Sequence, residues 1–149
     1  MRFGPPRRYT RSALVAAALL WAGVAQATDG VQVTPGDGVT VEVPSGQSIT
    51  LQEVVWNAPG TDGVATRFLF VAPAIAPGGG IDFDTASTDM QHLCDAFALP
   101  RVMDNIPPPA QIVISLSDRP VPFGQSAPEA TQFFESYSIE NGACTWEMF

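Results

Sequence analysis

The sequence predicts an α+β fold, an antiparallel sheet of about five to six strands with one main helix packed on one face and a C-terminal β-hairpin. Three observations lead to this prediction. Several short runs are rich in Val, Ile, Phe and Thr, as strands are, and one segment has helical periodicity. Near the end, Asn141-Gly142 is the preferred residue pair for a two-residue hairpin turn.

The chain begins with a pattern typical of an export leader. Four arginines precede an apolar run over 13–25, which ends in the small-x-small sequence Ala25-Gln26-Ala27. The run is about 13 residues long, whereas a membrane-spanning helix needs about 20. We therefore expect 1–27 to be a signal peptide cleaved near Ala27, and a periplasmic or secreted protein without a stable membrane anchor. Arg7-Arg8 leaves twin-arginine export open beside the general secretory route.

The predicted mature chain is divided into a Gly/Pro-rich N-terminal segment, 28–47, and a single globular domain, 48–149. A short strand is expected over 39–43, and two longer ones over 49–56 and 64–73. In the last of these, side chains are apolar on both faces, so this strand should be central and covered on both sides.

Residues 84–99 are predicted to form the helix. Asp84 or Thr85 is the expected N-cap, and Pro100 is expected to end the helix. An apolar stripe recurs at helical spacing and should face the sheet; its members are Ala86, Met90, Leu93, Cys94 and Phe97.

A strand over 111–117 and a hairpin of strands 131–140 and 143–149 complete the predicted sheet. A two-residue turn at Asn141-Gly142 fixes the register of the hairpin. The predicted pairs are Glu140 with Ala143, Ile139 with Cys144, Tyr137 with Trp146, and Glu135 with Met148. One face of the hairpin is then apolar and should point inward.

Cys94 and Cys144 are the only cysteines. In an exported chain two cysteines most often form one disulfide, and the alternative is two buried thiols. The helix stripe and the hairpin register both turn these residues inward, which favours the disulfide.

The charge of the chain excludes some partners. All 15 acidic residues follow residue 28, where only Arg67, Arg101 and Arg119 are basic, so the mature net charge is −12. Such a surface repels phosphate backbones, and we expect no nucleic-acid partner. We expect an unknown protein or small ligand as the partner, and no cofactor.

Two sets of residues are candidates for chemistry. His92 lies three residues from Asp89 and from Asp95, so the three should share the polar helix face as weak candidates for a metal site or an acid–base pair; the alternative is a solvated face. Arg67 and Arg119 are candidate contacts for a carboxylate or a partner, or else pair with acidic residues of the chain. Phe134 is a candidate partner contact on the sheet face opposite the helix.

Several segments resemble a family of short exported alphaproteobacterial proteins of unknown function. The resemblance covers about 45–149 and rests on four stretches; they lie at 67–73, 89–94, 112–119 and 128–147. Some members carry the label acetolactate synthase. Such thiamine-diphosphate enzymes are longer and need a Gly-Asp-Gly region ending in paired Asn, whereas Gly36-Asp37-Gly38 lies in a short Pro-rich segment. The residues therefore do not support that activity.

The sequence favours a small exported, non-enzymatic binding domain stabilised by one disulfide. The alternative is a small periplasmic metal-dependent or hydrolytic enzyme that uses the His92 helix face.

Overall fold

The computed structural model describes Gly4 and residues 30–148. The predicted export leader, apart from Gly4, lies outside the described residues. Within 30–148, seven strands form one sheet; they are β1 (Gln32–Pro35), β2 (Thr40–Val41), β3 (Ile49–Pro59), β4 (Val64–Val71), β5 (Gln111–Ser117), β6 (Gln132–Glu140) and β7 (Ala143–Glu147). The strand order is β1-β3-β4-β5-β6-β7, and β2 also pairs with β3.

The sheet is mixed and larger than predicted. β4 and β5 run parallel, whereas the other pairs are antiparallel. The prediction of a purely antiparallel sheet is therefore wrong at this pair. The helical segment lies between β4 and β5 and returns the chain to the end of the sheet where β4 began, so β5 must follow the same direction.

The helical segment runs from Phe83 to Val102 in three parts. An α-helix, α1 (Phe83–His92), is followed by a wider π-helical turn (Leu93–Ala98) and a short α-helix, α2 (Leu99–Val102). None of the helices in 30–148 is long and apolar enough to cross a membrane.

The predicted ends of the helix are both wrong. The N-cap is Asp82, whose carboxylate accepts the Thr85 N–H at 2.9 Å. Pro100 does not end the helix, because it lies in the first turn of α2, where a proline is tolerated. The π-helical turn precedes it, and the Leu99 N–H bonds to the carbonyl of Cys94, five residues back.

The described part of the Gly/Pro-rich segment belongs to the sheet. β1 pairs with β3 from Gln32–Trp56 to Pro35–Glu53, and β2 pairs with the start of β3. The predicted strand over 39–43 is shorter, with only Thr40–Val41 in the ladder. These strands extend the edge of the sheet rather than folding over one of its faces.

The hydrophobic core lies between the helical segment and one face of the sheet. Phe97 of the π-helical turn packs edge-on against Phe68 and Phe70 of β4, with ring centroids 6.2 and 5.7 Å apart. Disulfide Cys94–Cys144 joins this turn to β7 with its Cα atoms 6.1 Å apart, which confirms the predicted pairing.

The hairpin of β6 and β7 confirms most of its predicted geometry. Asn141 and Gly142 both have positive φ, 51° and 74°, as the turn requires. The predicted pairs Glu140–Ala143, Ile139–Cys144 and Tyr137–Trp146 are all present. The predicted apolar inner face is only partly buried, because Trp146 is 51% exposed and Met148, beyond the end of β7, is 82% exposed. The helical segment covers β7 only near Cys144.

Candidate functional site

The second face of the sheet, opposite the helical segment, is only partly covered. Side chains alternate along β4, so Phe68 and Phe70 enter the core while Arg67 and Leu69 point to the other side. The strand register aligns these two with further side chains of β5 and β6. We call this surface the open face; its central residues are Arg67, Leu69, Val113, Ser115, Phe134 and Ser136.

One loop crosses part of the open face. Residues 118–125, which we call the strap, follow β5 and are held by side chains of β3. The amide of Gln52 donates to the Val121 carbonyl at 2.9 Å and accepts the Val121 N–H at 3.1 Å. Glu53 accepts the Phe123 N–H at 2.9 Å. The strap therefore buries Val121 and leaves clefts on the rest of the face.

Two adjacent clefts remain, and both are lined by Arg67 and Phe134. One has a volume of about 190 Å³ and extends toward the β3–β4 turn at Pro59–Thr61. The other has a volume of about 220 Å³ and extends under the strap, between Leu69 and Phe123. Each cleft therefore has both a cation and an aromatic ring in its wall.

Arg67 is unusual among the described arginines. Arg119 forms an ion pair with Asp118 at 2.9 Å, and Arg101 donates to the Phe97 carbonyl at 2.7 Å. In residues 30–148, Arg67 is the arginine that has neither kind of partner. Its guanidinium carbon lies 5.8 Å from the centre of the Phe123 ring, and its Nε is buried with no hydrogen-bond acceptor.

Nearby carboxylates on the open face are engaged elsewhere. Glu53 bonds to the strap, as described above, and Glu147 accepts from the buried amide of Gln111 at 2.6 Å. Gln111 also holds Thr61 of the β3–β4 turn through two hydrogen bonds. A Cβ on Gly60 would overlap the Gln111 side chain, so glycine is required for this close approach. The network fixes one wall of the smaller cleft.

The Arg119–Asp118 pair forms the start of the strap. The hydrogen bond from Arg119 lowers the pKa of Asp118, and the same bond raises the pKa of Arg119. Both groups are charged at neutral pH and neutralise each other locally. Arg119 is thus paired with a carboxylate of its own chain, in contrast to Arg67.

The weak metal candidates are not brought together. Asp89 is buried and accepts hydrogen bonds from the Ser45 N–H at 3.0 Å, the Ser45 hydroxyl at 2.5 Å and the Gln47 amide at 2.7 Å. Asp95 accepts the Cys144 N–H at 2.9 Å, and His92 is exposed. Asp89 is therefore not part of a solvated helix face. No three His, Cys, Asp or Glu side chains in 30–148 are grouped to hold a metal ion.

The sequence pointed to Arg67, to Phe134 and to the 118–135 region that contains the strap, but not to the side chains that anchor the strap and the cleft wall. Gln52, Glu53 and Gln111 are isolated polar residues within strands, and nothing in their spacing marks them. Their contacts join positions 50 to 70 residues apart in the chain. Only a polar residue in an otherwise apolar strand, as at Gln111, gives a weak signal that a buried partner exists.

Comparison with known proteins identifies a family but does not indicate an activity. A family model described as a family of unknown function (DUF6497) matches residues 17–149. The chain belongs to this family. The match includes all of the sheet, the helical segment and both cysteines, and it confirms the resemblance to a family of unknown function. No curated protein and no solved structure matches the chain.

Proposed function

We propose that this protein is an exported, non-enzymatic binding domain that holds a small carboxylate-bearing ligand on its open face. The observation that carries the proposal is Arg67, a cation with a buried and unbonded Nε between two clefts. A buried donor without an acceptor costs about 1–3 kcal/mol, so native structures rarely retain one without a reason. A ligand carboxylate in the clefts would give the Arg67 guanidinium an anionic partner.

The ligand should combine a carboxylate with an apolar group. The planar guanidinium matches a carboxylate in two parallel hydrogen bonds. Beside it, Phe123, Phe134 and Leu69 offer apolar surface, and Phe134 is 56% exposed. Volumes of about 190 and 220 Å³ suit a group the size of an amino-acid side chain rather than a large cofactor.

Binding of free anions is testable by titration. The probes are phenylacetate and hexanoate, with neutral phenylacetamide as the matched control, followed by chemical shifts of backbone amides. We expect saturable shifts in β4, β6 and the strap for the two carboxylates only. Arg67→Gln should weaken binding at least about tenfold, because hydrogen bonds to charged groups are worth about 1.5–3 kcal/mol. Arg119→Gln, which removes an equal charge, should bind normally.

A second pair of variants tests the apolar half of the site. Phe134→Asp places a carboxylate beside Arg67 and should abolish binding of phenylacetate. Met103→Asp adds the same charge at an exposed apolar position near the end of α2 and should have no effect. Equal binding by wild type and Arg67→Gln, or equal binding of phenylacetamide and phenylacetate, would refute the carboxylate site.

Export is supported by the leader pattern and by the disulfide, since disulfides persist in oxidising compartments. Mass spectrometry of the protein from its own cells should find an N-terminus near Thr28. Alkylation under denaturing, non-reducing conditions should leave both cysteines unmodified. An intact leader or two free thiols would contradict export.

A further inference from the structure

A larger cleft lies on the other side of the sheet, beyond the end of α2. It has a volume of about 700 Å³ and is lined by β1, β3, β4 and the proline-rich connector to β5. We call it the Trp56 cleft; its lining residues include Thr34, Trp56, Asn57, Thr66, Asn105 and Pro108. It shares no lining residue with the two clefts of the open face.

Among residues 30–148, no charged side chain lines the Trp56 cleft, although the chain carries 15 acidic residues. Its polar groups are amides and hydroxyls, which both donate and accept hydrogen bonds. Asn57, Asn105 and Gln32 supply the amides, and Thr34 and Thr66 supply hydroxyls. A ligand that fits this lining is uncharged and rich in groups that both donate and accept.

Trp56 is held in place before any ligand arrives. Its indole N–H donates to the Thr34 hydroxyl of β1 at 2.9 Å, and its ring packs edge-on against Phe68 with centroids 6.3 Å apart. The β3–β4 register is irregular between Val55 and Ala58, so this part of β3 leaves the regular ladder. Such irregularities in strands re-aim side chains and are common beside functional sites.

Asn57 adds a second observation at the same position. Its φ is 56°, in the left-handed region that non-glycine residues seldom adopt. Asparagine is among the few residues that adopt this region, and Asn57 does so within the irregular part of β3. This backbone conformation brings an amide side chain to the cleft next to the fixed indole.

The structure assigns the Trp56 cleft to a neutral oligosaccharide. The apolar face of a sugar ring packs on an indole, and its hydroxyls exchange hydrogen bonds with amides and hydroxyls without any ionic contact. The volume of about 700 Å³ accommodates more than one sugar unit. A proline-rich peptide is less well matched, because such peptides dock on grooves lined by several aromatic rings, and Trp56 is the one ring of this lining.

The test uses the mature protein with its disulfide intact. The probes are cellotetraose, maltotetraose and chitotetraose, each titrated to about 10 mM, which detects dissociation constants in the millimolar range. The readouts are amide shifts and tryptophan fluorescence. We expect saturable binding of at least one tetrasaccharide. We expect no binding of an oligogalacturonate, because the acidic protein repels its carboxylates and no described lining residue of the cleft is a cation that could pair with them.

Variants locate the site. Trp56→Ala should weaken binding at least about tenfold, and Trp146→Phe, which changes the tryptophan on β7, should bind normally. Asn57→Gly removes the amide yet suits the positive φ, so this variant stays folded and should still weaken binding severalfold. Three outcomes would overturn the proposal: no tetrasaccharide binds, binding is unchanged in both cleft variants, or an oligoproline peptide binds there instead.

Discussion

The two faces of the sheet are built by the same strands but have different roles. On the covered face, Phe68 and Phe70 are almost completely buried by the helical segment and are connected to it through Phe97. On the open face, Arg67 and Leu69 from the same strand are only half-buried beneath the strap. Phe68 and Phe70 of β4 thus stabilise the fold, whereas their neighbours Arg67 and Leu69 line a candidate binding site.

This difference arises from what covers each face. The helical segment covers most of one side, except for the Trp56 cleft beyond the end of α2, and it is fixed there by a disulfide. The strap is a short loop attached by three hydrogen bonds, one donated by Gln52 and two accepted by Gln52 and Glu53, so it covers only part of the other side. Substitutions beneath the helical segment should therefore affect stability, and substitutions on the open face should mainly affect binding.

The largest effect is expected for the core of the covered face. Phe68→Ala should lower the free energy of unfolding by about 3–5 kcal/mol, because it leaves a cavity among fully buried side chains. Leu69→Ala, the neighbouring change on the open face, should cost less than about 2 kcal/mol. Urea denaturation of the oxidised proteins measures both values. Equal losses would contradict the distinction between the faces.

The second-largest effect on stability is expected for removal of the disulfide. Cys94 and Cys144 are 50 residues apart in sequence, and the chain-entropy model gives up to about 4 kcal/mol for a loop of that length. We expect the double Cys→Ala variant to lose much of this free energy of unfolding. Since the bond lies on the covered side, the variant that remains folded should still bind phenylacetate. A loss of binding at a temperature where it is folded would show that the two faces are coupled.

A smaller loss is expected where the helix meets the N-terminal part of the chain. Asp89→Asn should cost about 1–3 kcal/mol, because the buried carboxylate accepts three hydrogen bonds and an amide cannot accept them all. The exposed Asp104→Asn is the control and should change stability by less than about 0.5 kcal/mol. Thermal unfolding of both variants checks the difference. An Asp89→Asn protein as stable as the control would mean that these bonds contribute little.

The smallest effect is expected at alkaline pH. Burial and the hydrogen bond to Glu135 raise the pKa of Tyr137 above its ordinary value of 10.0. The folded state therefore keeps a proton that the unfolded state loses, so this contribution to stability is complete below pH 10.0 and falls as the pH rises above it.

Tyr137→Phe should remove this alkaline decline at a cost of about 1 kcal/mol at neutral pH, where the bond to Glu135 is lost. Residues 28–149 contain no lysine and no tyrosine other than Tyr137, so the titration is well isolated in that part of the chain. Urea denaturation at about pH 8 and about pH 11 tests it. If the Tyr137→Phe protein loses as much stability between these pH values as the wild type, another group causes the alkaline decline.

Local patterns in the sequence predict the parts of the fold that depend on near neighbours. The hairpin is specified by Asn141-Gly142 and by alternation along two adjacent strands, and three of its pairs are as expected. The alternation of Phe68 and Phe70 with Leu69 and Val71 likewise predicts a strand with two apolar sides. The helix was also expected from its periodicity, but its end was not, because the π-helical turn lets Pro100 lie inside it.

Part of the candidate site was also predictable, because Arg67 is one of only three arginines after residue 28, where the chain is acidic, and Phe134 lies on the second face of β6. Their surroundings were not. The parallel pairing of β4 with β5, the strap held by Gln52, and the burial of Asp89 against Ser45 and Gln47 all join segments distant in sequence.

The sequence by itself determined the alternation of the strands, the hairpin turn and the inward direction of both cysteines, because each depends on residues only a few positions apart. The tertiary structure alone decided which face the helix covers, which acids are buried and which arginine keeps a free donor. Those outcomes depend on desolvation and on contacts made across the sheet, and no local pattern encodes them.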